Sequence, residues 1–255
     1  MAPGANHPTA SGIVLEARNL HKACGGVHAV DGCSFAVPRG KICGLIGPNG
    51  SGKTTTFNLL TGLAQPDGGQ VLHDGVDIAG LKPYLIFRRG ITRTFQITRV
   101  FREMTVLENM LSVTELAVPD RVARERADEL IALVNLTHLR GEYGGRLSYG
   151  QQKLLEFARA LMTDPDVILL DEPAAGVNRT LLQQLPEQIH RLQQAGKTIL
   201  IVEHDMNVIM NHCERIFVMD YGVKIAEGAP SDIQGNERVI EAYFGRRQSG
   251  VVRAN

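Results

Sequence analysis

The chain has 255 residues, of which 44% are apolar and 21% charged, with 27 Lys+Arg balancing 27 Asp+Glu. This composition excludes a disordered or fibrous chain, and zero formal net charge argues against a dedicated nucleic-acid binder, which is normally basic overall. A chain of this length buries about three-quarters of its surface on folding without a disulfide or metal staple, and no uncharged stretch reaches the ~18 apolar residues of a membrane span.

Residues 1–12 are small and polar, with no basic or apolar region of a signal peptide, and are expected to form a flexible tail. Ile13–Leu20 reads as a strand. Ser34–Val37 and Lys41–Ile46 read as strands joined by the turn Pro38-Arg39-Gly40. A helix is expected from about Gly52 to Thr61, stopped by Gly62. Val71–Leu72 and Val76–Ile78 flank Asp74-Gly75, a hairpin signal.

The middle reads as helical. In Arg121–Leu136, Ala123, Ala127, Leu130, Ile131 and Val134 make one stripe at helical period, and Arg121 is spaced to pair with Glu125. A second helix is expected from about Ser148 to Met162, with Leu154, Ala158 and Leu161 on one side. Val167–Leu170 and Thr198–Val202 are short, uncharged runs suited to central strands buried on both faces. Between them, Pro186 should kink the helix Leu181–Gln194 or mark a fresh start. The alternation of strands and helices is an α/β pattern. The last residues, 246–255, are expected to fray. Cys24, Cys33, Cys43 and Cys213 show no CxxC spacing and are expected to be buried free thiols of a reducing compartment.

The chemistry concentrates in a few runs. Gly47-Pro48-Asn49-Gly50-Ser51-Gly52-Lys53-Thr54 follows a strand and opens a helix, the context in which G-x-x-x-x-G-K-[ST] cradles phosphates. Its glycines let successive N–H groups turn toward phosphate oxygens, and the helix N-terminus adds partial positive charge. Lys53 supplies a point charge for the β/γ-phosphates, and the Thr54 hydroxyl can ligate Mg2+. An apolar strand ends in Asp171 and Glu172: in this company Asp171 would hold Mg2+ through water, and Glu172 would orient and polarise the attacking water. Ser148 and Gln151 form a capping box, S-x-x-Q, at a helix start. The same geometry, with Gly150, would admit a phosphate, and the local pattern does not choose between these compatible readings.

The order of motifs does choose. GPNGSGKT, Gln96 in RTFQ, LSYGQQ, ILLDEP and His204 in IVEHD, in that order, resemble the ATP-binding cassette (ABC) family over residues 13–245. The runs GITRTFQITRVFREMTVLEN, LSYGQQKLLEFARAL, LLDEPAAGVN and EGAPSDI with NERVIEAYFG are similar to the ATPase subunit of branched-chain amino acid importers. The resemblance implies a P-loop NTPase (RecA-like) α/β core with an antiparallel β subdomain and an α-helical subdomain over about 98–160. It implies ATP and Mg2+ as ligands, with Gly47 to Thr55 on the nucleotide and Thr54, Gln96 and Asp171 toward the metal. Ser148, Gly150 and Gln151 would reach the γ-phosphate of ATP held by a second cassette, self or sister. Ala174–Asn178 would cross that interface, Asn178 standing where most of the superfamily has Asp. Glu172, Gln96 and His204 would act on the γ-phosphate and the water.

The partners implied are integral membrane permease subunits and, indirectly, a periplasmic substrate-binding protein, with no nucleic acid. The place implied is the cytoplasmic face of the membrane, and Ile97–Met104 would line the groove that receives a permease helix. Export of a lipid or glycolipid, and a soluble non-transport role, are the alternatives. One departure stands out: where the family usually has an aromatic residue to stack on adenine, this chain has Cys24.

Overall fold

The computed structural model describes residues 12–115, 117–173, 179–203 and 206–244. In chain order, two long strands, β1 (Ile13–Cys24) and β2 (Val27–Pro38), precede β3 (Ile42–Ile46) and α1 (Lys53–Leu60). β4 (Gly68–His73), β5 (Val76–Asp77), α2 (Pro83–Phe87) and β6 (Ile91–Arg93) follow. Then come α3 (Val106–Leu111), α4 (Asp120–Leu133) and α5 (Tyr149–Ala160), and after them β7 (Val167–Asp171), α6 (Arg179–Gln194), β8 (Thr198–Val202) and α7 (Met206–His212). β9 (Arg215–Asp220), β10 (Val223–Gly228), α8 (Pro230–Gln234) and α9 (Glu237–Phe244) close the described chain.

The strands form two sheets. One is antiparallel, in the order β2-β1-β4-β5; the other runs β10-β9-β3-β8-β7-β6, parallel throughout except for β10. The turn at Pro38-Arg39-Gly40 therefore does not close a hairpin. It hands the chain from the first sheet to the centre of the second. The expected hairpin at Asp74-Gly75 is present, with φ of 49° and 78°, the doubly left-handed turn that matches strand twist.

Successive side chains of the parallel strands enter two different cores. Ile42 and Ile46, Ile168 and Leu170, Ile199 and Ile201, and Ile216 and Val218 face a core shared with α3, α4 and α5. Cys43 and Leu45, Val167 and Leu169, Leu200 and Val202, and Phe217 and Met219 face the other, shared with α1 and the antiparallel sheet. This is why their sequence shows continuous apolar runs rather than alternation. The stripe expected on α4 is buried at Ala123, Ala127, Leu130 and Ile131, and Arg121 pairs with Glu125 at 3.0 Å.

The structure corrects two readings, excludes one of the two alternatives at Pro186 and adds three strands. α6 runs without interruption through Pro186, so no fresh start occurs: Leu185 and Ile189 are buried in the core, and that packing offsets the one backbone bond proline forfeits. β1 and β2 extend well beyond the runs expected for them, because their polar residues pair at the exposed end of the ribbon. The thiols of Cys33, Cys43 and Cys213 are free and buried, but Cys24 is free and exposed, since it ends β1 at the Gly25-Gly26 turn. β6 and the pair β9–β10 were not anticipated; three residues of β6 are too few for a periodicity to register.

α5 carries charge on its buried side. Glu156 is 4% exposed and accepts from Phe95 N–H at 3.3 Å, while Arg159 donates to the Arg99 carbonyl. The helix thus grips the segment that holds Gln96. Burial pushes the Glu156 carboxyl up to about 7, against the opposing pull of the Phe95 and Arg99 amides and Arg159.

Two outcomes follow for stability. Gly62 ends α1 at φ 70°, and a Cβ there would lie 2.2 Å from the Leu81 carbonyl oxygen. Gly62→Ala should destabilise by roughly 2 kcal/mol or more, read from urea unfolding; an unchanged midpoint would contradict the strain. Because the folded pKa of Glu156 is raised, its contribution is complete below its unfolded value and is lost as pH rises through about 7. Relative to wild type, Glu156→Gln should gain on the order of 3 kcal/mol between pH 4.5 and pH 8. A stability difference that is the same at both ends would remove the burial argument.

Candidate functional site

The site forms where the parallel strands end, the usual crevice of open α/β sheets. β3 delivers the loop 47–52, and α1 begins at Lys53. The loop must curl around its own amides, and glycine supplies the backbone this requires: φ is 153° at Gly47, 80° at Gly50 and 101° at Gly52. At Gly47 a Cβ would lie 2.1 Å from the Met219 carbonyl oxygen, and at Gly52 2.3 Å from that of Ala29. No side chain fits either position.

Lys53 is 5% exposed. Its ammonium donates to the carbonyls of Gly47 at 2.7 Å and Pro48 at 2.8 Å and approaches Ser51 Oγ at 3.4 Å. It thereby occupies the mouth of the loop with three weak neutral acceptors. Burial lowers its pKa, and the charges of Glu172 and Asp171 oppose that shift. Both acids therefore lie within electrostatic reach of the loop.

A cavity of about 370 Å3 opens over the loop, lined by Ala29, Asn49, Gly50, Gly52, Lys53, Thr54, Thr55, Gln96 and Glu172. Gln96, 76 residues away in sequence from Glu172, donates from Nε2 to Glu172 Oε2 at 2.9 Å. Glu172 sits just past β7 with φ 48°, a strained backbone for a long side chain and one that clusters at functional sites. Two bonds hold it there: its N–H donates to the Val202 carbonyl at 2.9 Å, and Lys153 Nζ donates to its carbonyl at 2.7 Å. Asp171, 2% exposed, stands one residue before, at the end of β7.

The capping box at the start of α5 is formed: Ser148 Oγ accepts from Gln151 N–H at 3.4 Å and Gln151 Oε1 accepts from Ser148 N–H at 2.9 Å. Ser148 is exposed and Gly150 buried. Neither they nor Gln151 line the cavity above the loop of this chain. The structure therefore brings the loop, Gln96 and Glu172 together and leaves Ser148, Gly150 and Gln151 off that cavity, while Tyr149 beside them donates to the Gln96 carbonyl at 3.4 Å. His204 and Ala174–Asn178 lie outside the described residues.

Two residues of the site escaped the sequence reading. Lys153, 8% exposed, holds the Glu172 backbone from one turn inside α5; its signal was a charge on the face of α5 that also buries Leu154 and Phe157. Arg93 of β6 donates from Nη2 to Asp171 Oδ2 at 2.6 Å, and no local pattern marked it.

Comparison with known proteins agrees with this geometry. Residues 30–175 match the family model described as ABC transporter, and residues 223–248 match that described as branched-chain amino acid ATP-binding cassette transporter. The high-affinity branched-chain amino acid transport ATP-binding protein BraF of Pseudomonas aeruginosa is 40% identical, over 91% of this chain and 98% of that protein. Among solved structures, the ADP conformation of an ATP-binding cassette of an ABC transporter superposes with a TM-score of 0.82 at 35% identity, covering 92% of this chain and 99% of that one. A dimeric post-hydrolysis cassette bound to ADP and Pi gives 0.77 at 27% identity, covering 85% of this chain and 98% of that one. The chain belongs to the ATP-binding, ATP-hydrolysing subunits of ABC transporters, and within them to the branched-chain amino acid type.

Proposed function

We propose that this subunit works as one of a pair of cassettes, with itself or a sister ATPase, and powers import of branched-chain or other hydrophobic amino acids through separate permease subunits. The observation that carries the reading is the convergence of the Gly47–Thr55 loop, Gln96 and Glu172 on one cavity. The loop amides and Lys53 receive the phosphates, and the Lys53 ammonium exchanges its carbonyl acceptors for charged oxygens, which bind it more strongly. Ser148, Gly150 and Gln151 do not line their own chain's cavity and are assigned to cap the γ-phosphate of a partner's ATP. Closure of the pair then depends on a ligand gripped from both sides, and hydrolysis releases it. His204, directly after β8, is assigned to the γ-phosphate, and Ala174–Asn178 to the interface.

The residues fit Mg2+. Thr54 offers a hydroxyl on the cavity wall, Gln96 an amide oxygen, and Asp171 a buried carboxylate, all hard oxygen donors. Held there, the ion would supply positive charge against the negative charge that develops in phosphoryl transfer. Glu172 accepts a hydrogen bond from the attacking water and draws off its proton, while Gln96, bonded to Glu172, fixes the water's direction. The strained backbone and the Lys153 contact keep that carboxylate in register.

Among the described residues no helix is long and apolar enough to cross a membrane, so transport requires partners. Ile97 is 79% and Phe101 49% exposed; neither lines the cavity of about 220 Å3 whose walls include Leu63, Ile86, Phe95 and Val113, but Arg159 of its wall lies 5.3 Å from the Phe101 ring. We assign this groove to a cytoplasmic helix of the permease, which places the subunit on the inner face of the membrane, with a periplasmic binding protein as the indirect partner.

In the subunit reconstituted with its permease, ATPase activity should rise when a leucine-loaded binding protein is added on the opposite side. Activity indifferent to it but raised by a lipid or glycolipid would favour export instead. Glu172→Gln should keep ATP binding and lower turnover roughly a hundredfold or more, and Lys53→Ala should weaken ATP binding roughly ten- to a hundredfold; wild-type turnover in Glu172→Gln would contradict the assignment. At Cys24, exposed and without a ring to stack on adenine, Cys24→Phe should tighten ATP binding about tenfold and sharpen its preference over GTP. Equal ATP and GTP affinities before and after the change would show that the base is held elsewhere.

A further inference from the structure

Arg93 occupies a position that phosphate binding alone does not explain. Its guanidinium reaches β7, α1 and the segment that follows β6. Nη2 donates to Asp171 Oδ2 at 2.6 Å. Nη1 donates to Asn58 Oδ1 on α1 at 2.6 Å and approaches Thr61 Oγ1 at the end of that helix at 3.3 Å. The ring of Phe57, also on α1, lies 5.5 Å from the guanidinium carbon and that of Phe95, beside Gln96, 5.4 Å. The side chains of Arg93 and Asp171 are 7% and 3% exposed, and the Arg93 Nε–H is buried with no partner.

A buried ion pair of this kind costs desolvation that its own attraction barely offsets, and an apolar pair of equal volume would serve stability as well or better. Its value lies in what it fixes. Arg93 takes one carboxylate oxygen of Asp171 and so fixes the direction in which the other points. Because the planar fork spans α1 and β7 at once, it also sets the distance between the phosphate-loop helix and the acidic strand. Phe95, two residues on, packs against it and lines the groove assigned above to the permease.

We propose that Arg93 is a positioning residue for the metal-binding carboxylate, presenting Asp171 to Mg2+ and tying that presentation to the segment that carries Gln96. This rests on the reading of Asp171 as the carboxylate that serves Mg2+. Arg93 does not line the cavity over the phosphate loop; it acts through Asp171, as outer-shell partners do when they orient a ligand.

The test uses the full 255-residue chain, a fluorescent ATP analogue, and titrations in EDTA and across Mg2+ concentration, with Mn2+ binding followed by paramagnetic resonance. In Arg93→Met, affinity in EDTA should stay within about twofold of wild type, since the loop and Lys53 are intact. The Mg2+ or Mn2+ concentration for half-effect should rise about tenfold or more. Arg93→Lys keeps the charge without the fork and should recover part of the loss; it carries the same comparison if circular dichroism shows Arg93→Met to be unfolded. Affinities that fall equally with and without metal mean a structural role and overturn the proposal, as does an unaltered metal requirement. Asp171→Asn separates the two levels. If it shifts the metal requirement and neither Arg93 variant does, only the role of Arg93 fails; if it shifts nothing, the metal reading of Asp171 fails with it.

Discussion

A parallel sheet buried on both faces leaves the protein one kind of place for chemistry: the ends of its strands. Every interior apolar side chain of β3, β7 and β8 is committed to one of two cores, so polar groups can enter only where the backbone leaves the sheet. At those ends the chain turns, N–H groups lose their ladder partners, and an anion or a carboxylate can meet them. The loop after β3 and the acids after β7 are the two halves of that solution, and β8 between them sets their separation.

The site that results is dense with charge that is paired or held in place. Lys53 rests on carbonyls, Asp171 on Arg93, and the Glu172 carboxylate on Gln96, its backbone on Lys153. None of these contacts is an efficient way to stabilise a fold. Together they keep each group oriented and close to an exchangeable partner, so that nucleotide would enter by replacing weak acceptors rather than by rebuilding the site. The positive φ at Glu172 belongs to the same economy: strain is held where direction matters most.

α5 links this chemistry to the rest of the molecule. Ser148, Gly150 and Gln151 at its capped tip do not line the cavity, its second turn holds Glu172 through Lys153, and its third grips the Gln96 segment through Glu156 and Arg159. A displacement of this helix reaches the nucleophile's positioning groups and the groove beside Phe95 together. On the proposed reading, in which that groove receives a permease helix, coupling to hydrolysis would run through one rigid element that borders both groove and site.

The sequence by itself determined the elements whose cause is local. The Gly-rich loop needs conformations that only glycine adopts freely, so Gly47, Gly50 and Gly52 announce it. The capping box at Ser148 and Gln151, the turn at Asp74-Gly75 and the doubly buried runs of β7 and β8 are likewise written in a few adjacent residues. Tertiary structure alone decided what depends on distant packing. It chose to run α6 through Pro186 because a buried face outweighs one lost bond, to place β2 and β3 in different sheets although a short turn joins them, and to leave Cys24 exposed at a ribbon end. It also brought Arg93 to Asp171 and Gln96 to Glu172, pairs separated by more than seventy residues. A hydrogen bond or ion pair between distant side chains has no periodicity along a chain; it forms only after the cores have closed and brought the two groups within reach.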